Sequence, residues 1–289
     1  MFETFDFDFK AIRGFLIDMD GVIYKSNDVI PGAIEFIELL KKKNIPFSFL
    51  TNNSQRNRRD IQKKLRYLNI HVDETHIFTC AIATARFLAS QTTHRSVYFI
   101  GESGLQQALY RNGFAIDDHT PEYVVIGEGR TANMEMIDKA VQFVHRGSKL
   151  ISTNPDPSCP TSDGIRAGCG AIVALIEQAT GKQAFHIGKP NPIIFREARR
   201  ALKLRMDQIC MIGDTMETDI IGAVQMGMQS VLVLSGGTKE EDLPQFAYKP
   251  GMVIPNVASL IKDVKAMPDH HADFLPAAGE SELIELVHH

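Results

Sequence analysis

The sequence predicts an α/β protein whose parallel sheet is wrapped by helices. Three observations carry this. Short β-rich apolar runs alternate with amphipathic segments along the chain. Apolar residues make up 44% and charged residues 23%, enough for a real core. The 289 residues exceed one average domain of about 100–150 but fall short of two large ones. Taken in order, residues 15–17 read as a strand and 31–43 as a helix with Pro31 near its first turn. Ile34, Ile37 and Leu40, with Phe36 and Leu39, form that helix's broad apolar stripe. Residues 46–50 form a second strand and 55–68 a second helix, basic on its outer face. Further strands fall at 97–100, 123–126, 150–152, 209–212 and 231–234. Helices fall between them at 104–112, 133–146, 168–180, 192–202 and 218–226.

Composition excludes several function classes. Thirty-one basic against 35 acidic residues, a net charge of −4, supply no electrostatic footprint for nucleic acid or an anionic membrane. The longest obvious apolar run, 171–176, is far short of the roughly 18 residues a membrane helix needs. The opening MFETFDFDFK is acidic where a secretory signal is basic, so a cytoplasmic protein is expected. Cys80, Cys159, Cys169 and Cys210 form no CxxC pair and read as reduced thiols, with a Cys159–Cys169 disulfide left open.

Chemistry concentrates after strands and in turns. The strand 15–17 runs into Asp18-Met19-Asp20-Gly21, at the strand end where open α/β sheets bind ligands. Two close carboxylates repel unless a cation or proton lies between them, and Mg²⁺ suits oxygen ligands. Alone, the motif also fits a surface turn. Thr51-Asn52-Asn53-Ser54 offers a hydroxyl and free N–H groups at an expected helix start, which fits a phosphate or plain N-capping by Asn53 or Ser54. Lys189 lies in the proline-stiffened turn Gly188-Lys189-Pro190-Asn191-Pro192, where a phosphoryl contact and simple solvation are both open. Asp214 follows the apolar strand 209–212, and Asp219 falls in the first turn of the next helix, after a candidate N-cap Thr218. That position also suits a helix-dipole residue.

In this order, DMDGVIY, TNN, GKPNP and GDTMETDI resemble the four motifs of haloacid-dehalogenase-superfamily phosphatases, close to the NagD-like branch, over residues 13–262. The resemblance implies a Rossmann-like doubly wound core and a Mg²⁺-dependent phosphatase of small phosphate monoesters. Asp18 would be the nucleophile that forms an aspartyl-phosphate, and Asp20 the general acid and base. The Asp18 side chain, the Asp20 main-chain carbonyl and Asp214 would hold Mg²⁺, supported by Asp219. Thr51, the Asn52 amide and Lys189 would hold the phosphoryl oxygens.

The spacing also locates an insertion. Few residues separate Gly21 from Pro31, whereas a long stretch lies between Thr51 and Lys189. The branch's α/β cap is therefore expected over 80–184, inserted in a catalytic core of 1–79 plus 185–289 whose residues 267–289 form an extension. Ser152-Thr153-Asn154-Pro155-Asp156, followed by Pro160, Gly164 and Arg166-Ala167-Gly168-Cys169-Gly170, resembles the family's specificity loop. Asn154, Asp156 and Arg166 are its candidate contacts. Ala167 and Cys169 depart from the family's proline and threonine, and Gly127-Glu128-Gly129-Arg130 stands where relatives carry Gly-Leu-Asp-Arg. Arg166 and Arg130 suit either a substrate anion or an ordinary surface. Phe2, Phe5, Phe7 and Phe9 are expected to tuck beside the sheet. The partner expected is a small phosphorylated metabolite rather than nucleic acid or membrane, with a homodimer possible through the cap. The competing readings are a non-catalytic phosphometabolite-binding or regulatory protein and a receiver-type phosphoacceptor.

Overall fold

The structure, a computed structural model, describes residues 7–161 and 164–269. These residues pack as two compact units, one drawn from the described parts of Met1–Leu50, Gln62–Phe78 and Phe195–His289, the other from the described parts of Thr51–Ile61 and Thr79–Ile194.

A six-stranded sheet runs in the order Met252–Ile254, Gln229–Val233, Ile209–Gly213, Gly14–Ile17, Phe47–Thr51 and Ile77–Thr79. From the strand Gly14–Ile17 the chain builds outward on one side, then returns to build on the other. That strand therefore marks a topological switch point, where ligands bind beyond the carboxyl ends. It pairs in parallel with Ile209–Gly213, Ile17 opposite Ile212. Both strands are buried on both faces, which is why they read as unbroken apolar runs. The helix Ala33–Lys42 buries Ala33, Phe36, Ile37 and Leu40. Fully buried Phe15 and Phe36 meet edge to face, with ring centroids 5.9 Å apart.

The second unit holds a five-stranded parallel sheet ordered Phe185–His186, Lys149–Ser152, Tyr123–Ile126, Ser96–Ile100 and Ala115–Ile116. Its core gathers Ile100, Val124, Ile126, Phe143, Val173 and Ile176 beneath the helices Met134–His145 and Cys169–Thr180. Burying each such side chain contributes roughly 1.5–3 kcal/mol before chain entropy is counted. An antiparallel hairpin, Ser158–Thr161 with Gly164–Ala167, also belongs to this unit.

Several expectations need correction. The basic helix begins at Arg58, not at 55, because Asn57 caps it by accepting from the Asp60 N–H at 3.0 Å. Neither Asn53 nor Ser54 is its N-cap. The chain after Gly213 does not start its helix at Thr218 either. A wide turn over Met216–Ile220 precedes the helix Ile221–Gln225, with Asp219 and Ile220 N–H both pointing at the Thr215 carbonyl. All four cysteines are free thiols. Of the leading phenylalanines, Phe2 and Phe5 lie outside the described residues; the Phe7 and Phe9 rings stand 6.0 Å apart. Most of the 267–289 extension, 270–289, also lies outside them. No described helix is long and apolar enough to cross a membrane.

Candidate active site

In the first unit, Asp18 and Asp214 follow adjacent strands, and the pairing of those strands brings them together. The Asp18 N–H donates to the Ile212 carbonyl at 2.9 Å, continuing the ladder past the strand ends. The carboxylates of Asp18, Asp214 and Asp219 converge so that one oxygen from each lies within 4.8 Å of the others. Asp219 joins them because the wide turn swings its side chain back. It is fully buried, and its Oδ2 accepts the Thr215 N–H at 3.3 Å. A Cβ at Gly213 would collide with that side chain, so only glycine fits there.

Asp214 is held on several sides. Its Oδ2 accepts the Gly237 N–H at 2.6 Å, its Oδ1 accepts the Thr215 hydroxyl at 3.2 Å, and its carbonyl accepts the Thr238 N–H at 2.9 Å. Gly21 adopts φ +81° directly against it, where any side chain would strike the Asp214 carboxylate. Asp20 is exposed to solvent, unlike Asp18. Desolvation by the surrounding chain, and then the Asp18 charge, hold the Asp20 carboxyl above the usual carboxylate range, against the pull of Lys64 and Lys25. Solvent on its open side screens these influences, so the direction carries the meaning.

The donor set fits a small hard cation. Mg²⁺ takes oxygen ligands at about 2.0–2.1 Å, so two ligands on opposite sides of one ion stand about 4.2 Å apart. Three carboxylate oxygens within 4.8 Å span that distance. Buried like charges this close also require a cation or a shared proton.

The second unit arranges Thr51, Asn52 and Lys189 differently. Thr51 ends the strand Phe47–Thr51, and its Oγ1 accepts the Asn53 N–H at 3.1 Å. The Asn53 side chain accepts the Gln55 and Arg56 N–H groups, each at 3.1 Å, so the turn is closed by an asparagine rather than by a helix. Asn52 is the hub. Its Oδ1 accepts the Lys189 N–H at 2.8 Å, and its Nδ2 donates to the Lys189 carbonyl at 3.1 Å and to Asp156 Oδ2 at 3.0 Å. Its carbonyl accepts from Asn154 Nδ2 at 2.7 Å and from the Cys80 thiol at 2.9 Å. Lys189, 3% exposed, precedes a cis proline. Asn52, Asn154, Asp156 and Lys189 thus meet in one network, although they come from three distant stretches of chain.

Arg166 stands apart from that hub, where its Nη2 donates to Gln55 Oε1 at 3.2 Å and lies 3.9 Å from Glu128 Oε2. Glu128 had no role in the sequence reading. The available signal was a carboxylate placed just after the buried strand Tyr123–Ile126. Burial raises its pKa, while the Cys159 thiol and Arg166 pull it down; the same burial and the facing carboxylate push the Cys159 thiol up to about 12. Ser54, fully buried, was also missed as more than a cap: its Oγ accepts the Glu128 N–H at 2.8 Å.

Comparison with known proteins meets this geometry from outside. Residues 15–115 match the family model of haloacid dehalogenase-like hydrolases, and residues 186–260 match a second HAD-hydrolase-like model. Dihydroxyacetone phosphatase of Corynebacterium glutamicum is 39% identical over 85% of this chain and 90% of its own length. Ribonucleotide monophosphatase NagD of Escherichia coli is 34% identical over 86% of this chain and 98% of its own. The crystal structure of 4-nitrophenylphosphatase from Thermotoga maritima superimposes with a TM-score of 0.85 at 33% identity, covering 89% of this chain and 98% of that one. The chain belongs to the haloacid dehalogenase-like hydrolases, in their NagD-like branch.

Proposed function

We propose that this chain is a phosphatase of small phosphate monoesters that works with Mg²⁺ through an aspartyl-phosphate formed on Asp18. The observation that carries the reading is the convergence, at the switch point of the sheet, of the strand-tip carboxylates Asp18 and Asp214 with Asp219 of the following turn. Relatives sharing a third or more of the sequence are named as phosphatases, which supports a phosphoric monoester hydrolase.

Asp18 and Asp214, with the Asp20 main-chain carbonyl, would hold Mg²⁺, and Asp219 would brace them from behind. When bound, the ion offsets the negative charge of the phosphoryl group. The Asp18 carboxylate attacks phosphorus in line, and the P–O bond to the alcohol breaks. Asp20 protonates the departing alkoxide, then takes a proton from the water that hydrolyses the acyl-phosphate. Its raised pKa supports the first of these duties. Thr51, the Asn52 amide and Lys189 bind the phosphoryl oxygens. The Asn52 clamp on the Lys189 backbone supports a fixed position for that lysine. Residues 80–184 form the cap on a core of 1–79 plus 185–289, and Asn154, Asp156 and Arg166 lie in its specificity segment. A cytoplasmic location and a homodimer through the cap complete the reading.

The test is phosphate release from a panel of monoesters, with Mg²⁺ and with chelator. Turnover that disappears with chelator is the expected result. A folded protein that binds a phosphorylated compound tightly yet releases no phosphate would instead mark a binding protein and overturn the proposal.

A further inference from the structure

Glu128 is 5% exposed, and two groups of the hairpin converge on it. The Cys159 thiol donates to its Oε1 at 2.9 Å, and Arg166 approaches its Oε2 at 3.9 Å. Cys159 and Arg166 are register partners across the hairpin, so one carboxylate pins both strands. Arg166 is held on its other side by Gln55, three residues beyond Asn52. Glu128 is tied to the same turn through Ser54. Two more acids border it. Asp156 accepts from Asn52 at 3.0 Å, while Glu102 accepts from Gln55 Nε2 at 3.4 Å and from the Arg130 N–H at 2.8 Å.

An arginine beside a phosphate-binding turn would ordinarily attract a second anionic group on the substrate. Here a buried carboxylate faces that guanidinium. At a third group about equally distant from both, the field of one largely cancels the other. Asp156 and Glu102 tip the remaining balance towards negative.

We propose that Glu128 determines specificity: by pairing with Arg166 it favours phosphate esters of neutral, hydroxyl-bearing alcohols over esters carrying a second negative charge. This rests on the function proposed above, in which Thr51, the Asn52 amide and Lys189 hold the phosphoryl group and Arg166 belongs to the specificity segment. Glu128 acts through Arg166, as a positioning residue, and touches no reacting atom.

The experiment compares kcat/KM for glycerol 2-phosphate and for phosphoglycolate, or for another neutral and carboxylate-bearing pair of similar size that the panel shows to be turned over. The native enzyme should favour the neutral ester. Glu128→Gln keeps the shape and removes the charge, and should raise the phosphoglycolate-to-glycerol-phosphate ratio by about tenfold. Arg166→Gln should lower that ratio by about fivefold, and it carries the test if thermal melting shows Glu128→Gln to be unfolded. A purely structural role would move both substrates together and leave the ratio alone. Ratios unchanged within about twofold, or a native preference for the carboxylate ester, overturn the inference while leaving the phosphatase intact. Absence of turnover on every monoester would instead overturn the phosphatase reading, and this inference with it.

Discussion

The acidic cluster of the first unit and the amide-bound network of the second solve the same problem, holding polar groups still, by opposite means. Asp18 and Asp214 inherit their positions from two fully buried neighbouring strands, and a single register fixes both. Asn52, Asp156 and Lys189 sit on loops, and side-chain hydrogen bonds do the work that a sheet ladder does elsewhere. Strand-tip sites are stiff because shifting them would break the core. Loop sites are only as stiff as the amide that ties them, so one substitution can loosen several residues at once.

The sharpest test of this contrast lies on the stiff side. Asp18→Asn preserves shape and should lower kcat for phosphate release by at least about 10⁴-fold, with little change in melting temperature. Retained turnover would remove Asp18 from the nucleophile's role. Asp20→Asn should cost about 10²–10⁴-fold for an alkyl phosphate, and less for 4-nitrophenyl phosphate, whose leaving group needs no acid. If Asp20 is the acid it must carry a proton, so activity should fall as pH rises through its raised pKa. Lys64 lowers that pKa. Lys64→Met should therefore move the alkaline limb of the kcat/KM profile to higher pH, and a shift to lower pH would contradict the assignment.

On the tied side, Asn52→Ala should do what no strand-tip substitution does. It should loosen Lys189 and Asp156 together, raising KM and lowering kcat by about 10–100-fold in kcat/KM and costing about 1–3 kcal/mol in denaturant unfolding. If the loss is confined to KM, the lysine's position does not depend on Asn52. The smallest effect belongs to Thr215→Ala, which removes one 3.2 Å hydrogen bond to Asp214 while Gly237 N–H keeps its own. A two- to tenfold weaker apparent Mg²⁺ affinity is expected, measured by metal titration of activity. A larger loss would mean that the acidic cluster is less rigid than its strands suggest.

The same contrast explains what could be read in advance. Both carboxylate motifs follow strands too apolar to miss, and the order of the motifs along the chain carries the fold. Asp219 was placed near them, but its route was not, because the wide turn depends on Thr215 and Gly213 rather than on helix periodicity. The network around Asn52 was illegible as a network, since nothing local signals that 52, 154–156 and 189 share hydrogen bonds. The helix-start reading of Thr51-Asn52-Asn53-Ser54 failed because a real N-cap, Asn57, lies a few residues on. Glu128 stood in plain sight as an acid where the family carries leucine, yet its meaning depends on Cys159 and Arg166 arriving across a hairpin.

The pairing of Gly14 with Ile209 has a temporal side. Asp18 leaves the ribosome first, and its partner Asp214 follows roughly two hundred residues later. At about 5–20 residues per second, some ten to forty seconds of synthesis separate the two. Throughout that interval the nascent chain carries Asp18 without the strand Ile209–Gly213, whose following residue Asp214 completes the acidic cluster. The order of the strands thus works as a clock, postponing the acidic cluster until the strand Ile209–Gly213 has been made.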